Sequence, residues 1–163
     1  MDISVHQIAD YFILKVDRKA GDNMTHLKLQ KLLYYAQAWH LAMHGKELFH
    51  NRLEAWRHGP VCREIYARFR QLSWHPIPPT MMLTDPSLLP REVHDFLDEV
   101  WEVYGQFSAT KLEELTHQEE PWLAARAEAF PHHPSDSRIT REMMQEYYGS
   151  RIKLRRRIQS RVS

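Results

Sequence analysis

The chain has 163 residues, of which 43% are hydrophobic and 26% charged, with a formal net charge of +1. That balance fits one globular domain with a single sizeable core, and it excludes disordered and membrane-spanning classes. The lone cysteine, Cys62, excludes an internal disulfide, and Met1-Asp2-Ile3-Ser4 has no signal-peptide pattern, so the cytoplasm is the expected location.

The charge is uneven along the chain. Residues 151–161 hold six basic side chains and no acid, which leaves 16 basic against 21 acidic residues elsewhere, a body of net −5. A body of that sign argues against nucleic-acid binding, which stays open only for the basic end.

A first helix is predicted from about Ser4 to Val16, with Val5, Ile8, Ala9, Phe12 and Ile13 on its apolar stripe and Asp2 or Ser4 as cap. Ala20-Gly21-Asp22-Asn23 breaks it. The next helix is the centre of the pattern. Thr25 can cap its start, Gly45 can end it in the left-handed conformation, and Leu29, Leu32, Leu33, Ala36, His40 and Met43 recur at helical spacing. Tyr34, Tyr35, Trp39 and Leu41 flank that arc, so only Lys31, Ala38 and Ala42 are expected on the far side. His26, Gln30, Gln37 and His44 form a polar edge beside His40. The plain reading is that they bond backbone of neighbouring loops; the functional one is a seam kept for a partner.

Leu48-Phe49 and Leu53-Glu54-Ala55-Trp56 alternate and read as extended chain or a small strand. His58-Gly59-Pro60 reads as a turn, with Pro60 suited to open a helix over 61–72. That helix buries Val61, Ile65, Tyr66, Phe69 and Leu72 and turns Arg63, Glu64, Arg68 and Arg70 to solvent. Residues 73–90 hold five prolines and form a loop, anchored by Trp74, Ile77, Met81, Met82 and Leu83. A helix opens at Pro90 and ends at Gly105, burying Val93, Phe96, Leu97, Val100 and Tyr104. Ser108 caps a short helix using Leu112 and Leu115. Thr116 and Glu119 have capping-box spacing, with Pro121 in the first turn of a helix through Trp122, Ala125 and Ala129 that stops at 130–134. Ile139 and Thr140 start a last helix. Together these elements predict a mainly α, compact single-domain bundle of six to seven helices with one short extended segment or strand near 48–56.

Catalytic chemistry finds no positive support. His40 and His44 stand four apart on one helix, a spacing that can chelate zinc, but no third ligand is marked. Cys62 beside Val61 reads as a small core residue. No nucleophile elbow and no glycine-rich phosphate loop are present. No enzyme, cofactor or metal is therefore expected.

The stretch from Thr25 to His40, with His26, Leu29, Gln30, Leu33, Tyr34 and Trp39, is followed by Trp56, His58, Gly59 and Pro60, then by Thr116, His117, Pro121 and Trp122. In order and spacing, from residue 3 to about 148, this closely resembles the Panacea domain of SocA-like antitoxins, also met in phage-associated proteins. The resemblance implies a helical cytoplasmic protein, the antitoxin half of a two-gene pair, which neutralises a cognate toxin by direct contact. A relative that delivers its toxin to an ATP-dependent protease makes a proteolytic adaptor the alternative, ahead of a metal-dependent enzyme using the His-rich edge. Because toxins of this family are unrelated, the shared residues are expected to be framework. Toxin contacts are expected on less patterned surface: Arg63, Arg70, Trp74, Met81 and Met82, and Arg155, Arg156 and Arg157 of the basic tail, 149–163. No membrane partner is expected, and nucleic acid only through that tail.

Overall fold

The computed structural model describes residues 2–127 and 137–162, with side chains as far as Ile152. The order is α1 (Val5–Lys15), α2 (His26–His44), β1 (Leu53–Trp56), β2 (Gly59–Val61), α3 (Arg63–Phe69), α4 (Arg91–Tyr104), α5 (Ala109–His117), α6 (Glu120–Ala127), β3 (Arg138–Ile139) and α7 (Arg141–Val162). The fold is mainly α, with one small sheet of order β2-β1-β3, both pairings antiparallel. The termination of α6 at 130–134, with Ala129, lies outside the described residues.

Helix ends follow the local chemistry. Ser4 caps α1 through a reciprocal box with Gln7, and Thr25 Oγ1 accepts from the Lys28 amide at 3.3 Å. Gly45 closes α2 at φ 68°, where a side chain would be strained. Ser108 caps α5 by accepting from the Lys111 amide.

The central helix is more enclosed than periodicity predicts. It packs against α1, α3, α4, α5, α7 and β2. Lys31 and Ala38, expected on an outer side, are fully buried, while Met43, expected in the apolar arc, is 49% exposed. The reason is tertiary: β2 and α5 close over the Lys31 side, and Met43 lies at the open end near Gly45.

Several boundaries move. Pro60 and Val61 are strand rather than helix, because Ala55 and Glu54 of β1 pair with them. β2 is an edge strand, where the missing proline N–H costs no ladder bond. Helix α3 therefore starts only at Arg63, and it passes at Arg70–Leu72 into a 3-10 turn. Leu48-Phe49 is bent chain, not strand, held by α2. Ile139 is strand, paired with Leu53. Thr116 caps nothing: it is the eighth residue of α5, and its hydroxyl donates to the Glu113 carbonyl at 2.8 Å. Glu119 instead accepts from the Tyr35 hydroxyl.

The 73–90 segment is pinned, though not by all the residues expected. Ile77 is buried, its N–H donating to Met24 O at 2.7 Å, while Trp74 is 78% and Leu83 68% exposed. The far end is held by Asp10, whose carboxylate accepts from the Leu83 and Thr84 amides, the Thr84 hydroxyl and Arg68 Nη2. Arg68, expected in solvent, is thus drawn inward to a buried acid. At the near end, Ser73 has φ 53° and ψ −120°, and the His75 N–H donates to Leu72 O. Those angles belong to the first central position of a type II′ turn, normally glycine, and cost a serine about 1–3 kcal/mol.

Candidate functional site

The polar edge of α2 is spent inside the molecule. Gln30 donates to the Cys62 carbonyl (3.1 Å) and accepts from the Cys62 N–H (2.8 Å). Seven residues on, Gln37 donates to the Phe49 carbonyl (2.7 Å) and accepts from the Leu48 N–H (2.6 Å). Each amide acts as a surrogate peptide unit. The two clamp the start and the end of the excursion that carries β1 and β2, as the plain reading of that edge expected. His40 continues the pattern through Nδ1 and the Lys46 carbonyl, 2.6 Å apart, whereas His44 is exposed.

His26 Nε2 lies 2.9 Å from the Gln30 side-chain nitrogen. Since an amide nitrogen can only donate, that imidazole nitrogen accepts and the ring is neutral. Burial, with Lys31 adding repulsion, pushes the His26 pKa down to about 4. Cys62 is buried and its thiol pushed up to about 12, which leaves no thiolate near neutral pH.

Lys31 is the anomaly on this helix. Its ammonium is wholly buried and donates to Pro60 O at 3.3 Å, and burial pushes its pKa down to about 7 against the pull of Glu113. An unfolded lysine titrates at about 10.4. Between these values the unfolded chain binds the proton that the folded chain has released. Stability should therefore rise as pH goes from about 7 to about 10, and fall as pH returns through that window. Lys31→Met is expected to flatten this slope in urea titrations at the two ends of the window; an unchanged slope would assign it to other groups.

The second half of the motif surrounds the same lysine. Gly59 has φ +108°, and its missing side chain leaves room for Lys31 and Thr116. His58 Nδ1 meets Glu113 at 2.9 Å, tying the β1–β2 turn to α5. His117 stacks on Trp122 at 4.0 Å, and Trp122 Nε1 donates to Trp56 O. Pro121, in the first turn of α6, is buried. Trp56 donates to the buried Glu54, which also accepts from Arg63. Behind α2, Tyr35 stacks on Tyr104 (3.9 Å), Tyr34 and Tyr148 share a hydrogen bond (3.0 Å), and Trp39 Nε1 donates to Tyr104 at 2.7 Å. Burial raises the Glu119 carboxyl where it meets Tyr35. Leu29 and Leu33 are fully buried.

The residues named for partner contact are scattered. Arg63 is engaged with Glu54, Met81 and Met82 pack on the core, and Arg70 and Trp74 stand outside it. Arg155, Arg156 and Arg157 lie on α7, beyond the described side chains. Sequence reasoning passed over Asp10, Lys31 and Glu54, the buried charges that hold loop, turn and sheet; each reads locally as an ordinary polar position. Among the described residues, no three or more His, Cys, Asp or Glu are grouped to hold a metal ion.

A family model described as antitoxin SocA-like, Panacea domain, matches residues 29–123, more than half of the chain. The chain belongs to the SocA-like antitoxin family. No curated relative and no solved structure matches it. The Panacea match begins on α2 and ends on α6, so it spans both glutamine clamps and the Lys31 surround, and leaves out α1, β3 and α7. Among the described residues, no helix of this Panacea protein is long and apolar enough to cross a membrane.

Proposed function

We propose that this protein is an antitoxin that neutralises a cognate toxin by direct protein contact, and that it is a binding protein rather than an enzyme. Membership of the SocA-like antitoxin family carries the reading. The chemistry of the motif agrees with it. Gln30, Gln37 and His26 are occupied by internal bonds, and Cys62 is neutral and buried, so the shared residues build a scaffold. The partner is met by the periphery. Residues 3–148 form the Panacea domain, and the basic end, 149–163, is a second contact element suited to an acidic patch, through guanidinium groups that make charge-assisted bonds.

Co-expression with the product of the adjacent open reading frame is the test. Rescue of growth together with co-purification is expected; a chain that rescues without binding would exclude masking. Deleting residues 151–163 should leave the melting temperature unchanged and weaken binding, with a loss that shrinks at high salt. Equal affinity of the truncated and full chains would reduce that segment to a terminus.

A further inference from the structure

We propose that Trp74, held outward by the strained turn at Ser73, is the anchor that inserts into an apolar, carboxylate-rimmed pocket of the toxin; this rests on the antitoxin reading above. Two observations converge on one turn. Trp74 is 78% exposed, the largest exposure among the large hydrophobic side chains of the described residues. Ser73 is the only non-glycine residue with positive φ among those residues. A glycine would relieve the turn, so the strain is not required by the path of the chain.

The flanks are fixed while the indole is free. On one side Leu72 packs on the core and the Ser73 N–H donates to Arg70 O at 3.2 Å. On the other, Ile77 is 1% exposed, and its carbonyl accepts from Arg18 Nη2 at 3.1 Å. Among the described residues, the one ring beside Trp74 is that of His75, itself exposed, at 5.7 Å. A tryptophan held in place before binding loses little conformational freedom when a pocket closes on it, which is the usual make-up of an interface hot spot.

The charge beside it selects the partner. Residues 57–75 carry four arginines against Glu64 alone. Arg63 is engaged with Glu54 and Arg68 with Asp10, whereas Arg70 is exposed and makes no ion pair among the described residues. A cation four residues along the chain from an apolar knob fits a pocket edged by carboxylates. The net −5 of residues 1–150 opposes nucleic acid.

The experiment compares the full wild-type chain with Trp74→Ser, Arg70→Glu and Ser73→Gly, each titrated with the product of the adjacent open reading frame. Trp74→Ser should weaken binding by about thirtyfold or more with no fall in melting temperature. Arg70→Glu should weaken it less, and Ser73→Gly should raise the melting temperature while loosening the complex. A wild type that fails to bind overturns the antitoxin reading and the anchor together. A wild type that binds, beside a Trp74→Ser chain that binds equally, overturns the anchor alone. So would a wild-type dimer that becomes monomeric in Trp74→Ser, or retention of an oligonucleotide that this variant abolishes.

Discussion

Gly59→Ala is expected to destabilise the protein by about 2–4 kcal/mol, because two penalties coincide at one atom. The backbone stands at φ +108°, which strains any side chain, and the new Cβ would fall 2.4 Å from Lys31 Cε and 3.1 Å from Thr116 Oγ1. Lys31 cannot swing aside, since it is wholly buried beneath β2. Urea unfolding of the single and double variants separates the terms. In a Lys31→Ala background the larger steric part should go, leaving the Thr116 contact and the backbone strain, and the loss should shrink. The same loss in both backgrounds would leave backbone strain and the Thr116 contact as the whole effect.

Asp10→Ala should cost about 3–5 kcal/mol, the usual result of removing one member of a buried ion pair. The carboxylate is fully buried and Arg68 nearly so, 2.5 Å away. It also accepts from the Leu83 amide at 3.1 Å, the Thr84 amide at 2.9 Å and the Thr84 hydroxyl at 2.7 Å. Truncation would strand a guanidinium and free the far end of the 73–90 segment. Faster hydrogen exchange at Leu83 and Thr84 should accompany the lower melting temperature, and Arg68→Met in the same chain should recover part of the loss. A cost below about 1 kcal/mol would show that water replaces the carboxylate without difficulty.

These two residues mark where the sequence is readable. Local signals carried the helices: Thr25, Gly45 and Ser108 cap where their chemistry says they should, and the stripes of α1 and α4 face the core. The errors fall where distant chain decides. Pro60 suits a helix start by local preference, but pairing with Ala55 makes it strand. Thr116 and Glu119 have the spacing of a capping box, yet Tyr35, remote in sequence, claims the carboxylate. Lys31 sits in no charged pattern, and its burial follows from β2 and α5 closing over α2. Gln30, Gln37 and Trp122 bond backbone remote in sequence, at Cys62, Phe49 and Trp56, which no local spacing specifies. Trp74 was only partly legible: the sequence names it both as an anchor of the 73–90 loop and as a contact residue, and only the turn that leaves it exposed rules out the anchor.

The small sheet has a consequence for how the protein is made. β1 is complete at Trp56, but its second neighbour, β3, arrives only at Arg138–Ile139, and Tyr148, which covers Tyr34, comes later still. A ribosome therefore delivers the central helix long before the segments that shelter it. During that interval Tyr34 lacks Tyr148, and the nascent chain presents apolar surface of the kind that chaperones and proteases recognise. Shelter arrives only once β3 and Tyr148 have been made. A chain cut short before β3 would be expected to enter degradation rather than persist as a partial Panacea domain.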